Sequence, residues 1–314
     1  MRKTNAAFLC CGAIAAVALA LIGMPSLAQT GGIPGVIAPG DAPQLVQEGF
    51  TFLEGPVGTA DGGLIFSDLR ANKTERLDPN GKISVLRENT NGTNGLALTK
   101  DGDLVGAEAD GHRISKRNRD GTMVTLTAGY KGMPFLSPND LILDAKGGIY
   151  FTDPGPRPVV PGRPTYVFYL PPGAKEPMQV DGTIARPNGL VLTMDGKKLI
   201  VDDTIGPNVF AFDIQPSGAL SNKRVFAQLH DLKAGEESGA DGMAIDRQDR
   251  VYVTTASGVQ VFDNQGRYLG TIKAGRQAAN AAFSGPGKRV LYITAREGLY
   301  RINTQTQGPD RLGK

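Results

Sequence analysis

From Leu45 onward the chain reads as short apolar runs broken by Asp-Gly, Asn-Gly or Asp-Pro-Asn-Gly, with no long stretch of helical periodicity. One pattern, Arg186-Pro187-Asn188-Gly189-Leu190, is echoed at Thr93-Asn94-Gly95-Leu96, Pro138-Asn139-Asp140-Leu141 and Ala240-Asp241-Gly242-Met243. Taking Glu54, Asn94, Asn139, Asn188, Asp241 and Asn280 as equivalent anchors gives spacings of 40, 45, 49, 53 and 39 residues. That is the period of a four-stranded propeller blade. About seven residues past each anchor stands a turn, as at Asp61-Gly62, Asp101-Gly102 and Asp195-Gly196. Asp-Gly between apolar runs favours a hairpin because its backbone must take positive φ. A second strand follows each turn, for example Ile149-Tyr150-Phe151 and Val251-Tyr252-Val253, and third and fourth strands complete most units.

The expected fold is all-β: a six-bladed β-propeller with four-stranded blades. The last unit fades after Leu299-Tyr300-Arg301-Ile302, so the segment 45–50 is expected to supply its fourth strand. That closure would remove an exposed sheet edge. The unit holding Asn139 is the least regular, with a long loop carrying Pro154, Pro156, Pro158, Pro161 and Pro164. The innermost strands would line a central channel, so the six anchors would ring it at one end. With the hairpin turn near anchor +7, the residue at +14 is expected back level with the anchor, one strand out. Those residues are Asp68, Glu108, Asp153 and, one residue late, Asp203, with Thr255 and Thr294 in the other two units.

The N-terminus adds a destination. Arg2 and Lys3 precede an uncharged, largely apolar run from Ala6 to Met24, and Ser26-Leu27-Ala28 offers small residues for a signal peptidase. Residues 1–28 are therefore expected to be a signal peptide, and the mature chain periplasmic or secreted. Both cysteines, Cys10 and Cys11, lie in this segment, so the mature chain would hold no disulfide, thiol nucleophile or cysteine metal site. Loss of Arg2 and Lys3 takes the formal charge from +3 to +1, which suggests neither nucleic acid nor an anionic membrane as partner. Residues 29–43 read as a poorly ordered Gly/Pro-rich linker, 44–307 as the propeller and 308–314 as a C-terminal tail. A monomer or weak dimer is expected.

Glu54, Asn139, Asn188 and Asp241 offer oxygen donors only, two of them anionic. That set suits a hard divalent cation, Ca²⁺ first, then Mg²⁺ or Mn²⁺. Zn²⁺ usually recruits nitrogen or sulfur, and the chain has only His112 and His230 to offer. A single Asn-Gly or Asp-Gly reads more simply as a turn cap; four converging on one point read as a metal site. Asp153, Asp203, Asp68 and Glu108 are expected either to back that site or to hydrogen-bond loop amides. Asn139, Ser137, Asn94 and Asn280 are the expected substrate contacts. No Gly-x-Ser-x-Gly, His-Glu-x-x-His, P-loop or dinucleotide fingerprint is present, which argues against a serine hydrolase.

At these residues the chain resembles the SMP-30/gluconolactonase/luciferin-regenerating-enzyme family. The resemblance spans roughly Glu48 to Ile302 and rests on Glu54-Gly55-Pro56-Val57, Ser137-Pro138-Asn139-Asp140, Phe151-Thr152-Asp153-Pro154, Arg186-Pro187-Asn188-Gly189-Leu190 and Ala240-Asp241-Gly242-Met243. It implies a six-bladed propeller with a divalent metal in the channel mouth, and often lactone hydrolysis. By motif it implies Glu54, Asn188 and Asp241 as principal metal ligands and Asn139 as a metal or substrate contact. Ser137 stands where sugar-lactonase members carry an Arg that touches substrate hydroxyls. The expected function is a metal-dependent lactonase with Asp241 accepting a proton from water. The alternatives are an aryl-ester or phosphotriester hydrolase on the same site, or a non-enzymatic propeller stapled by Ca²⁺.

Overall fold

The computed structural model describes residues 31–158 and 162–311, together with Met1. The export signal expected over residues 1–28 lies, Met1 apart, outside the described residues. Six four-stranded antiparallel sheets account for the fold, with one extra two-stranded ribbon at Gly129–Tyr130 and Met133–Pro134. The six-bladed propeller read from the anchor period is what forms. The inner strands are Leu53–Gly58, Thr93–Leu98, Leu141–Leu143, Pro187–Leu192, Met243–Ile245 and Asn280–Ser284. Each is buried almost throughout, as expected of strands enclosed by neighbouring blades.

The ring closes as the fading last unit predicted. Gln44–Glu48 pairs antiparallel with Gly298–Asn303, so a strand from before the first blade completes the last one. Apolar side chains of the sheets interdigitate between blades: Phe66 and Leu53 of the first meet Ala282 and Leu299 of the last. The aromatic cluster of Phe135, Phe151 and Phe168 fills the third blade, with ring centroids 5.2 to 5.4 Å apart.

Residues 31–43 depart from the expected poorly ordered linker. Ile33, Val36 and Ile37 are fully buried with Tyr252, Val261 and Ile272 of the fifth blade and Leu291 of the sixth. The three aliphatic side chains outweigh the surrounding Gly and Pro, because burying each stabilises by roughly 1.5–3 kcal/mol. The chain's other end is likewise tied down: Gln305 N–H donates to the Val36 carbonyl at 2.8 Å, and Lys288 donates to the Pro309 and Arg311 carbonyls. Arg311 donates to the carbonyls of Leu192 and Thr193 at the far end of the fourth inner strand. The anchors lie at the opposite end of these strands.

Glycine after the anchor serves a purpose different from a turn. A Cβ on Gly55 would stand 1.9 Å from the Asn94 carbonyl oxygen, and one on Gly242 would stand 1.9 Å from the Asn280 side chain. Neighbouring inner strands therefore touch at the anchor level, and only glycine lets them. Ser67, Thr152 and Thr254, each on a second strand, stitch the same seam by donating to the carbonyls of Asn94, Asn188 and Ala279 at 2.7 to 2.8 Å.

Candidate active site at the channel mouth

Four of the six anchors come together, Glu54 with Asn280 and Asn188 with Asp241. Glu54 is buried; its Oε2 accepts the Gly55 N–H at 3.0 Å and the Asn280 amide at 3.2 Å. Asn188, also buried, donates from Nδ2 to Asp241 Oδ1 at 2.8 Å and to Thr204 Oγ1 at 3.2 Å. Those bonds fix the amide so that its Oδ1 is the free end, buried and without a partner. A buried acceptor left unpaired costs of order 1–3 kcal/mol. Asn94 Oδ1 is in the same state.

Acidic groups are crowded together at this point. Burial pushes the Glu54 carboxyl well above its ordinary range, and the nearby Asp241 and Asp140 push it further. Burial raises Asp241 to about 7; the Asn188 amide opposes that shift, Asp140 adds to it, and the charges of Arg296 and Arg157 offset part of it. Like charges held together out of water favour the protonated form of one another.

Asp140 and Asp202 belong to this ring, and the sequence reading missed both. Asp140 is completely buried and accepts from the Asn280 amide at 3.5 Å. Asp202 is completely buried; its Oδ1 accepts the Gly189 N–H at 3.1 Å and its Oδ2 has no partner. Burial first, then Asp241 and Asp140, holds the Asp202 carboxyl well above its usual range. A signal existed for each. Asp140 replaces the glycine that follows the anchor in other copies, and Asp202 occupies the seam position that Ser67, Thr152 and Thr254 fill elsewhere.

The acids expected level with the anchors sit elsewhere. Bulges in the inner strands shift the register, so Glu54 faces Ser67 while Asp68 faces Leu53. Glu108 faces Thr93, and Asp203 faces Pro187. Each carboxylate then ties down a loop or rim. Asp68 accepts the amides of Thr51 and Phe52, Asp153 those of Leu136 and Ser137 at 2.8 and 2.7 Å, and Asp203 those of Arg186 and Ile205. Glu108 takes hydrogen bonds from Arg113, Ser115 and Asn91.

Asn139 and Ser137 are half-buried at the mouth, and no hydrogen bond joins the Asn139 side chain to Glu54, Asn188 or Asp241. Over the mouth, Arg186 donates to the carbonyls of Pro154 and Gly155 at 3.1 and 3.0 Å, holding the start of the proline-rich loop. Arg157 on that loop pairs with Glu237 at 2.9 Å. The first residue of the repeated motif thus holds the start of that loop.

Among the described residues no three His, Cys, Asp or Glu side chains gather as a metal-binding group. A cation here would have to draw on amide oxygen as well as carboxylate, and the donors suit that. The Asn188 Oδ1 orphan sits beside the Asp241 carboxylate, all donors are oxygen, and several buried acids crowd the same point. That composition fits a hard divalent ion.

Comparison with known proteins agrees with the fold and the motifs. A gluconolactonase of Zymomonas mobilis is 27% identical over 297 residues, covering 84% of this chain and 82% of its own. The structure of a gluconolactonase from Xanthomonas campestris superposes with a TM-score of 0.75 at 29% identity, covering 84% of this chain and 90% of its own. A calcium-binding regucalcin from Agrobacterium tumefaciens shares the fold, with a TM-score of 0.73 at 18% identity over 86% of this chain and 97% of its own. The family profile described as SMP-30/Gluconolactonase/LRE-like region matches residues 52–297, and the chain belongs to that family.

Proposed function

We propose that this protein is a lactonase-type hydrolase that opens a small cyclic ester at the channel mouth, with a divalent cation, Ca²⁺ first among candidates, as cofactor. Glu54, Asn188 and Asp241 would hold the ion, with Asn139 completing the set from the third blade. The observation that carries the reading is the Asn188–Asp241 pair: a hydrogen bond of 2.8 Å leaves a buried amide oxygen unpartnered among crowded carboxylates. When bound, such an ion polarises an ester carbonyl and makes a coordinated water a better nucleophile.

The chain's own residues account for the remaining requirements. Asp241 is the proton acceptor for the attacking water, since its carboxylate stands among the proposed ligands beside the Asn188 amide. Asn188 holds that carboxylate in place through Nδ2. Glu54 is oriented by the Gly55 N–H and the Asn280 amide, so a residue of the sixth blade positions a group of the first. Arg186, through the Pro154 and Gly155 carbonyls, fixes the start of the proline-rich loop beside the mouth. Export of the mature chain to a periplasm or medium, through cleavage after Ala28, is part of the same proposal.

The test is a panel of aldonolactones, simple γ- and δ-lactones, aryl esters and a phosphotriester. Purified mature protein is assayed after chelation and after return of Ca²⁺, Mg²⁺, Mn²⁺ or Zn²⁺. Lactone turnover that disappears with chelator and returns with one ion is expected. Turnover of esters with none of lactones would overturn the lactonase assignment; tight ion retention with no turnover would make the ion a staple.

A further inference from the structure

One side of the mouth carries arginines that form no ion pair with the site described above, although the Arg296 charge acts on Asp241. Arg296 and Arg70 both lie against the ring of Phe52, each guanidinium carbon 5.1 Å from the ring centroid. Phe52 stands two residues before Glu54, and the Arg296 carbonyl accepts the Leu53 N–H at 2.8 Å. The two arginines therefore sit at the seam of the last and first blades, on the ring two residues before Glu54, with the Arg296 charge acting on Asp241. Each lies on the turn from the second to the third strand of its blade: Arg296 after Val290–Ala295, Arg70 after Leu64–Asp68.

Neither has an ion-pair partner among the described residues. The acids on this side are already engaged. Glu48 and Glu297 both pair with Arg276, at 2.6 and 3.7 Å, and Asp68 is taken by the amides of Thr51 and Phe52. Arg296 makes one side-chain hydrogen bond, to Gln277. Its backbone adopts φ 55, the left-handed region, in a two-residue turn between Ala295 and Gly298 where Asn or Gly would be easier.

Stacking on Phe52 holds the guanidinium planes while leaving their N–H edges available, the presentation that suits a carboxylate. We infer that Arg296 and Arg70, set on Phe52 two residues before Glu54, bind a carboxylate carried by the substrate, so that the preferred lactone is an anionic one. The inference rests on the lactonase reading of the mouth. Asp68 then has a defined purpose: by fixing the Thr51 and Phe52 amides it fixes the platform. Arg157, already paired with Glu237, is not part of this subsite.

The experiment compares a neutral aldonolactone with a carboxylate-bearing lactone of the same ring size, using the cation-loaded protein at low and high salt. The carboxylate-bearing compound is expected to have kcat/KM higher by at least about tenfold at low salt, with the advantage shrinking as salt screens it. Arg296→Gln should reduce that advantage by about tenfold through KM; Arg296→Lys should keep part of it. Arg70→Gln, at an exposed site, repeats the test without threatening the fold. Equal turnover of both lactones, or equal losses on both in Arg296→Gln, would overturn the inference while leaving the lactonase intact. If no lactone is turned over, the lactonase reading fails, and calorimetric titration with a sugar dicarboxylate decides. Binding lost in Arg296→Gln supports the carboxylate subsite, and absence of binding removes it.

Discussion

Asp202 and Asp203 are neighbours on one strand with opposite surroundings. Asp202 points into the ring, where one oxygen meets the Gly189 N–H and the other meets nothing. Asp203 points outward to the rim and accepts the amides of Arg186 and Ile205 at 3.0 and 3.1 Å. The same contrast separates Glu54, Asp140 and Asp241 from Asp68, Glu108 and Asp153. Carboxylates of the ring crowd one another out of water, and burial raises Glu54, Asp202 and Asp241; those of the rim are spent on backbone amides or arginines. Alternation along a strand, one residue apart, decides which kind of acid results. A carboxylate at a strand end is by itself no sign of chemistry; its unmet demand for a proton or cation is.

If the ring is the reactive region, Asp241→Ala should lower kcat/KM by about 10³-fold or more, equivalent to about 4 kcal/mol of barrier. A stopped or steady-state assay on the responsive lactone measures it, and unchanged kcat/KM would take Asp241 out of the proton-accepting role. The rim variant Asp203→Ala should do the opposite. It should cost about 2–3 kcal/mol of stability in denaturant melts by stranding two amides, with a much smaller effect on turnover.

Acidity should separate the two regions next. Burial raises the Asp202 carboxyl, so the folded state binds its proton more tightly than the unfolded chain does. Its contribution is therefore present at low pH and is lost as pH rises past the ordinary carboxyl value. Glu108 runs the other way. Burial works against its charge, but hydrogen bonds from Arg113, Ser115 and Asn91 outweigh that and hold it below the usual range. Its stabilisation is present above the unfolded value and is lost as pH falls through the lowered one. Asp202→Thr, measured by thermal melts of chelated protein, should gain stability over the parent at pH 8 and little near pH 4. A gain independent of pH would mean Asp202 is already compensated.

The smallest effect tests the seam that makes the ring possible. Thr254→Val removes bonds to the Gly242 and Ala279 carbonyls at 2.9 and 2.8 Å and should cost about 1 kcal/mol. A shift in the chemical midpoint with no change in its slope would show it.

Much of this was readable before the structure. The anchor period determined blade number, strand count and the closing strand, because a propeller writes each blade as one repeat of the same local pattern. Residue type at the anchors determined that the mouth would be rich in oxygen donors and poor in nitrogen and sulfur. Side-chain direction at the second strand was not readable. Bulges after Leu53-Glu54 and after Thr93 shift the register, and a shift of one residue exchanges the two faces of a strand. Burial of Ile33, Val36 and Ile37 was equally hidden, since Gly and Pro dominate the local composition and the partners lie more than 200 residues away.

The sequence by itself determined the propeller, the oxygen-rich mouth and the family, since repeats and motifs are local and survive in linear order. Only the tertiary structure decided which acids face one another, which amide oxygen is left without a partner, and that Arg296 and Arg70 meet on Phe52. Those facts depend on register and on contacts between the first and last blades, and neither is written in any single stretch of chain.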